Sequence, residues 1–391
     1  MPGYNSIINL PYYSIKKIHR GDPMVLEVVC TETPACIHCN SEDLRLKNKH
    51  LRRLHHESFG MRRVQLEVMV SKFKCKSCNR YFTQRLPGVL PYKRATEPLR
   101  RQVFEQHKSG VSQAQMAKWF GVGASTVERW FHDYYLRKNN ELKSRSCPRV
   151  LGIDEHYFSK KDGYATTFCD LGKHKIFDVV KGRYEADLAS YLRSLQGREK
   201  VRVVCMDLSS SYRSLIRKYF PNAKIVTDRF HVIRLINQQL IKSCRQIDAN
   251  IKSNRGLLAI LRKNPKNLTK SQIIRRNEYF KEHPAIKAIY EFKQQLHQLM
   301  MKKALTQEGC KKTIPQLLKY IQMLKESPLE AMKTLGKTIQ NWAEEIARMW
   351  RFTKSNGITE GFHRKMKLIQ RRAYGFKNFE NYRLRVRILC S

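Results

Sequence analysis

Residues 150–181, VLGIDEHYFSKKDGYATTFCDLGKHKIFDVVK, decide the fold of the larger part of this chain. The stretch contains three short apolar runs: Val150–Phe158, Tyr164–Leu171 and Lys175–Lys181. Turns at Gly163 and Gly172 separate these runs. Short apolar runs interrupted by glycine turns are typical of antiparallel strands. The stretch therefore predicts a three-stranded antiparallel meander.

Helical and strand-like periodicities alternate after the meander. They predict helices at Glu185–Leu195 and Tyr212–Phe220, strands at Val201–Leu208 and Lys224–Thr227, and a long amphipathic helix from Asp228 onward. Three strands followed by this alternation is the order of a ribonuclease H-like core, although unrelated chemistries use similar orders. Residues 249–345 show helical periodicity only, and a helix-rich segment follows them.

Two acidic residues interrupt the predicted strands. Asp154 lies inside the first strand, and Asp207 ends the strand that begins at Val201. A carboxylate at the end of a buried strand loses hydration unless a cation or hydrogen-bond donors meet it. An Asp that caps a turn is the alternative interpretation of Asp207. Two such residues on neighbouring strands favour a shared site for Mg²⁺ or Mn²⁺, which prefer carboxylate oxygen.

A third acidic residue, Glu360, begins a predicted helix at Ile358–Ala373. At 100° per residue it shares one face with three cations, Arg364, Lys367 and Arg371. The alternative is an exposed pair between Glu360 and Arg364. One acid against three bases is too one-sided for mutual pairing, so we expect Glu360 to join the metal site and the three cations to follow a DNA backbone.

Asp228 and His231 form a D-x-x-H motif at the start of the long helix. The favoured interpretation of Asp228 is an N-cap on the free backbone N–H groups of that helix. The functional alternative places both residues beside the metal site, where His231 orients a phosphate or an unstacked base.

Four of the 11 cysteines form two C-x-x-C pairs, Cys36/Cys39 and Cys75/Cys78, separated by a long loop. Paired C-x-x-C motifs predict a structural Cys₄ zinc site, because four thiolates leave no open coordination position. His38 is an alternative ligand, and Cys30 is expected to be a small buried hydrophobe. The loop between the pairs carries a basic stretch suited to phosphate contact, including Arg52, Arg53, Arg62 and Arg63.

Residues 111–131 predict a helix-turn-helix. Ser112 can cap a first helix through Phe120, Gly121 can end it, and a second helix can run from Ala124 or Ser125 through Trp130. We expect the second helix to present four side chains to a major groove: Ser125, Thr126, Glu128 and Arg129. A plain helical hairpin has the same periodicity.

The charge of the chain favours a nucleic-acid partner. Lys and Arg total 76 against 33 Asp and Glu, a formal net charge of +43. Such an imbalance favours a polyanion, and each neutralised phosphate releases counterions. We find no apolar run of membrane-spanning length and no signal peptide. The odd cysteine count indicates a reducing compartment, so we expect a cytoplasmic protein that acts on DNA or RNA.

Four blocks resemble, in order, the bacterial insertion-sequence transposases of the ISL-three family. They are GIDE at 152–155, MDLSSSY at 206–212, TDRFHV at 227–232 and NGITEGFHRKMKLIQRRAYGF at 356–376. The resemblance spans essentially the whole chain. It implies a DDE core on a ribonuclease H-like fold, with Asp154, Asp207 and Glu360 as the metal-binding acids. It also implies an all-helical insertion before Glu360. His363 stands where many members have Asn, so its role stays open.

The combined expectation is a multidomain α/β transposase that reads the terminal inverted repeats of its element in double-stranded DNA. It would hydrolyse and transfer strands with Mg²⁺ or Mn²⁺, as a homodimer or larger oligomer on DNA and with no membrane partner. The alternatives are a zinc-dependent DNA-binding regulator with an inactive DDE remnant, and a ribonuclease H-like nuclease.

Five segments are expected: a zinc-binding domain at 1–90, the helix-turn-helix domain and linker at 95–148, the first part of the core at 149–248, the all-helical insertion at 249–345, and the second part of the core with the tail at 346–391.

Overall fold

A computed structural model describes residues 8–142, 145–352 and 357–391. Asn356, the first residue of the last quoted block, lies outside them. The chain divides into two compact units, Met1–Lys143 with Arg371–Gly375, and Ser144–Gln370 with Phe376–Ser391. Among the described residues, no helix has both the length and the apolar character needed to span a bilayer.

The first unit contains a five-stranded sheet. Its strands are β1 (Tyr13–His19), β2 (Met24–Cys30), β3 (Leu44–Phe59), β4 (Arg62–Cys75) and β5 (Tyr81–Thr83). The order is β1-β2-β4-β3, with β5 also paired to β4. Strands β3 and β4 form a long antiparallel hairpin, whose turn has Gly60 in the left-handed region at φ +60°. Buried alternate residues such as Val64, Leu66 and Val68 give the sheet one apolar face.

Three helices follow in the first unit: α1 (Glu97–Lys108), α2 (Gln113–Phe120) and α3 (Ala124–Leu142). The Ser112 side chain accepts a hydrogen bond from the backbone N–H of Gln115, and Gly121 ends α2 at φ 62°. These are the predicted cap and stop. The predicted end of α3 at Trp130 is wrong, because the helix continues to Leu142 and buries Tyr135.

The second unit contains another five-stranded sheet, in the order β10-β9-β6-β7-β8. Its strands are β6 (Val150–Ser159), β7 (Gly163–Asp170), β8 (Lys175–Lys181), β9 (Val203–Met206) and β10 (Lys224–Thr227). The first three are antiparallel, as the glycine turns predicted, and β9 pairs in parallel with both β6 and β10. Strand β9 starts two residues after the predicted Val201, which follows a single 3₁₀ turn at Arg198–Lys200.

Helices cover both faces of this sheet. The helices of the second unit are α4 (Glu185–Ser194), α5 (Ser210–Tyr219), α6 (Arg229–Ile247), α7 (Arg255–Arg262), α8 (Lys270–Glu282), α9 (Pro284–Met301), α10 (Gln307–Glu326), α11 (Glu330–Asn341), α12 (Ala343–Arg351), α13 (Gly357–Arg372) and α14 (Phe379–Leu389). Leu151, Ile153 and Met206 belong to the core with α4 and α5. Cys205 on the opposite face belongs to the core with α13 and α14. Residues 249–345, all described, contain helices and no strand.

Helix α9 carries a lysine inside the helical region. Lys293 is 3 % exposed, and its Nζ donates to the Leu261 carbonyl at 3.4 Å. No carboxylate among the described residues lies within 4.0 Å of it. Burial lowers the pKa of Lys293 from 10.5 to about 8. An ammonium held this way destabilises the folded state, because desolvation is not balanced by a counter-charge.

We expect Lys293→Met to raise the free energy of unfolding at pH 7 by about 1–3 kcal/mol. In the wild type the unfolded state binds the proton more tightly, so wild-type stability rises with pH between about 8 and 10.5. The advantage of the variant should therefore shrink over that window. Urea denaturation at pH 7 and at about pH 9.5 measures it. Lys287→Met, at an exposed position of the same helix, is the control. A variant less stable than wild type at pH 7 would contradict this account.

Candidate active site and metal centre

The pairing of β6 with β9 brings two acidic residues side by side. Leu151 pairs with Val204 and Gly152 with Cys205, so the same register continued by two residues sets Asp154 opposite Asp207. Residues paired in this way point to the same face of a sheet. That face carries Cys205 and packs against α13 and α14.

Both carboxylates are held in surroundings that disfavour their charge. Burial, with a contribution from the Asp207 and Asp228 carboxylates, raises the pKa of Asp154 to about 6, while His231 opposes the rise. Burial also raises the pKa of Asp207. The Oδ1 atom of Asp207 is buried and finds no hydrogen-bond partner within the described chain. An unsatisfied buried carboxylate oxygen beside a second carboxylate suits an oxygen-preferring cation.

Asp228 corrects one prediction. It occupies the N-cap position of α6, but its side chain makes no capping hydrogen bond. The carboxylate is 3 % exposed and instead accepts a hydrogen bond from Nδ1 of His231 at 3.0 Å. This bond raises the pKa of His231, and the Asp154 and Asp207 carboxylates add to the rise. One turn of helix separates the two residues, so they meet on one face.

Helix α13 places His363 against the first acid. Nδ1 of His363 lies 3.8 Å from Oδ2 of Asp154, and Nε2 lies 3.2 Å from Oγ1 of Thr167. Burial, with the charge of Lys367, lowers the pKa of His363 to about 4, so the ring is neutral at pH 7. Sequence reasoning left this residue without a role. His363 lies three residues before the buried Met366, so the two side chains lie on the same side of α13.

Glu360 does not join the two Asp residues in a closed ligand set. Its side chain is 53 % exposed and accepts a hydrogen bond from Arg364 at 3.0 Å. The expectation that Glu360 avoids this pairing is wrong, since an acid four residues before a base on an exposed helix face forms the pair locally. Lys367 and Arg371 are exposed on the same helix.

A cavity of about 290 Å³ connects Glu360 with the Asp228 motif. Its walls are formed by residues of α6, of the end of α9 and of the start of α13: Asp228, Arg229, Phe230, Ile233, His297, Met301, Lys303, Gly357 and Glu360. The guanidinium of Arg229 donates to the backbone carbonyls of Met300, Lys302 and Met349 at 2.9–3.0 Å. These three bonds tie the end of α9 to the start of α6 at this wall of the cavity.

The four predicted zinc ligands do come together. The Sγ atoms of Cys36, Cys39, Cys75 and Cys78 lie within 4.8 Å of one another, the only such cluster of three or more potential ligands in the described ranges. Hydrogen bonds, first from the backbone of Cys78, lower the pKa of Cys75, which favours the thiolate form of that side chain. His38 contributes its backbone N–H, which donates to Sγ of Cys36 at 3.5 Å, and its ring is not part of the cluster.

The arginines between the two cysteine pairs are largely engaged within the first unit. Arg53 pairs with Glu67 at 2.8 Å, and Arg63 makes two 3.0 Å hydrogen bonds to Asp22. Arg52 donates to the Lys93 carbonyl. Arg62 is exposed beside the hairpin turn.

The first turns of α3 carry the predicted groove-reading residues. Ser125 and Arg129 are exposed, and Thr126 is half-buried. The Arg129 guanidinium donates to Oγ1 of Thr126 at 3.0 Å and to the Ser125 carbonyl at 3.3 Å. Val127 and Trp130, on the opposite side of the helix, are buried.

Comparison with known proteins matches both units. The DDE model of family ISL3, described as a transposase, matches residues 151–386. A model described as the helix-turn-helix domain of transposase family ISL3 matches residues 84–135. The chain is also similar to the transposase for insertion sequence element IS1001 of Bordetella parapertussis. The two are 24% identical over 367 residues, which cover 90% of this chain and 87% of that protein.

The sulfur cluster predicts one tightly held divalent metal ion per chain. Cys39→Ser should lower the metal content of purified protein and the melting temperature of the first unit, because the remaining thiolates no longer close a tetrahedron. Elemental analysis and thermal melting measure both. Cys30→Ser is the control, since Cys30 lies outside the cluster. Equal metal content in both variants would rule out a four-cysteine site.

Proposed function

The chain belongs to the ISL3 family of transposases, and we propose that it binds the ends of its insertion sequence and cuts and joins DNA strands by a divalent-metal DDE mechanism. The observation that carries this proposal is the adjacent pair Asp154 and Asp207, with a buried carboxylate oxygen that lacks a partner within the described chain. Glu360 is the proposed third acid.

The proposed catalytic core is ribonuclease H-like. In support, the second unit has three antiparallel strands with two parallel strands added at the β6 edge. We propose that the core comprises residues 149–248 and 346–391 and that the helices of 249–345 are an insertion between its two parts. The proposed zinc-binding and helix-turn-helix domains occupy 1–90 and 95–148.

The residues present fit Mg²⁺ or Mn²⁺. Carboxylate oxygens are the ligands these ions prefer, and a cation would offset the cost of burying Asp154 and Asp207. For Glu360 to contribute, it must leave Arg364, and an exposed ion pair of this kind contributes only about 0.2–1 kcal/mol. Once bound, the metal would act as a Lewis acid on the phosphodiester and favour ionisation of the attacking hydroxyl or water.

The chain's own residues orient the phosphate around these acids. The Asp228 carboxylate favours the protonated form of His231, and in that form the ring could contact a scissile phosphate oxygen near Asp154 and Asp207. Neutral His363 lies beside one of these acids, with its Nδ1 3.8 Å from Oδ2 of Asp154. Arg364, released from Glu360, would follow the DNA backbone together with Lys367 and Arg371.

Recognition of the element ends is assigned to the first unit. The exposed start of α3 would enter a major groove with Ser125, Thr126 and Arg129. Arg52, Arg53, Arg62 and Arg63 are proposed phosphate contacts, and Arg53 and Arg63 must exchange their acidic partners for DNA. The Cys₄ site is proposed to hold structural Zn²⁺. Two ends must be held together for joining, so we propose a homodimer or larger assembly on nucleoid DNA in the cytoplasm.

We expect Asp154→Asn, Asp207→Asn and Glu360→Gln each to reduce end cleavage by at least about 10³-fold, the scale of removing a catalytic carboxylate or its metal. Binding to an end duplex should stay within a few-fold of wild type, because no DNA-reading side chain is changed. A nicking and strand-transfer assay with labelled ends and Mg²⁺ measures the first, and fluorescence anisotropy the second.

The matched control for these variants is Glu380→Gln, which removes an exposed acid 69 % accessible on α14. It should cleave like wild type. Retained nicking by any one of the three acid variants would remove that residue from the proposed site, and wild-type protein that binds ends without cutting them would favour the regulator.

Asp228→Ser separates the two interpretations of the D-x-x-H motif. Serine can still cap α6, but it cannot hold His231 in its charged form. We expect the melting temperature to change little and cleavage to fall about 10- to 100-fold, as for other partners that orient groups at metal sites. Wild-type cleavage by Asp228→Ser would remove the motif from the proposed active site.

A further inference from the structure

Three lysines surround the ring of one exposed tyrosine in the first unit. The Nζ atoms of Lys47, Lys72 and Lys74 lie 5.8, 5.8 and 5.7 Å from the ring centroid of Tyr81, whose side chain is 53% exposed. Attraction between ammonium groups and the ring face stabilises each position. We call Lys47, Lys72, Lys74 and Tyr81 the lysine–tyrosine surface.

Strand register brings these residues together. Lys72 and Lys74 alternate along β4, and Tyr81 pairs with Lys74 across β5. Lys47 lies at the irregularity in β3, between the residues that pair with Phe73 and Lys72. Arg45 pairs directly with Lys74, which sets a fourth cation opposite the third. Like charges on facing positions of a sheet destabilise it.

The positive charge of this surface is not balanced by the protein. No carboxylate in the described part of the chain lies within 4.0 Å of Lys47, Lys72 or Lys74, and the neighbouring Asp43 pairs with Lys76 at 2.7 Å. Each of the three ammonium groups lies within 5.8 Å of the same ring centroid, so their positive charges share one small area of the surface. By contrast, Arg53 and Arg63 of the same unit have acidic partners.

The cysteine cluster holds the strands that carry this surface. Cys75 directly follows Lys74 and ends β4, and Cys78 comes three residues before Tyr81. The backbone N–H of Cys75 donates to the Arg80 carbonyl at 2.9 Å, which closes the turn that returns the chain to β5. A metal bound by the four sulfurs would therefore fix Tyr81 relative to Lys74.

We propose that the lysine–tyrosine surface binds the phosphate backbone of double-stranded DNA without regard to sequence, and that metal in the cysteine cluster keeps it assembled. The choice of DNA rests on the proposed function. Closely spaced ammonium groups match the regular negative charge of a duplex, and the Tyr81 hydroxyl is a further donor to phosphate. The contact would position the protein along DNA while the helix-turn-helix reads bases.

The test uses the full-length protein with lysines changed in the combined variant Lys47→Gln, Lys72→Gln and Lys74→Gln. Binding to an end duplex and to an unrelated duplex is followed by anisotropy without Mg²⁺ at several KCl concentrations. We expect the slope of log K against log salt to fall by roughly 2–3 and the affinity near 0.1 M salt to drop by about 10- to 100-fold. Both duplexes should lose affinity equally.

The matched control removes the same charge from the second unit, by Lys266→Gln, Lys270→Gln and Lys281→Gln. These lysines are exposed and carry no ion pair among the described residues. The control should leave the slope near the wild-type value. An equal loss in the control would make the effect one of net charge, and a loss confined to the end duplex would make the surface a reader of sequence. Either result overturns the proposal.

The metal dependence is tested by a double-mutant cycle with Cys39→Ser. We expect Cys39→Ser to lower the slope by itself and the lysine changes to add little in its background. Full additivity would show that the surface stands without the metal. Failure of DNA cleavage leaves these binding results untouched, whereas binding to no duplex at all would overturn this proposal and the proposed function together.

Discussion

The parallel pairing of β6 with β9 is the constraint on which the candidate active site depends. It sets Asp154 beside Asp207 on the sheet face that α13 and α14 cover. Burying two carboxylates together is unfavourable, and nearby groups offset part of the cost: His231, held by Asp228, lowers the pKa of both acids. The divalent cation of the proposed mechanism would offset the rest, and the proposed site would then be more stable when loaded than empty.

Local patterns in the sequence predicted the features that depend on neighbouring residues. Glycine turns and apolar alternation gave the three strands of 150–181 to within a residue or two at most ends. Ser112 and Gly121 predicted both ends of α2, since capping is decided within one turn of helix. The two C-x-x-C motifs predicted the sulfur cluster because each knuckle is itself a local structure.

Features that depend on distant partners were missed or wrong. The sequence favoured Asp228 as an N-cap of α6. In the structure the Asp154 and Asp207 carboxylates favour the charged form of His231, and Asp228 pairs with that residue. His363 acquired a role only once Thr167 and Asp154 lay beneath α13. The cations around Tyr81 share no sequence motif, because they come from β3 and β4 while the ring belongs to β5. Pairing register between strands cannot be read from one segment alone.

The net charge of +43 overstates the surface available to DNA. Several arginines have structural partners instead: Arg100, fully buried, bridges Glu97 and Asp133 at 2.6 Å and joins α1 to α3. Arg229 binds three carbonyls at the end of α9, and Arg383 pairs with Asp178. The planar guanidinium of arginine suits such positions because it can donate several hydrogen bonds in a fixed geometry. The ammonium of lysine is a point charge on a flexible side chain. For this reason the phosphate-binding surface that we propose is built on lysines without ion pairs among the described residues, and not on the density of basic residues.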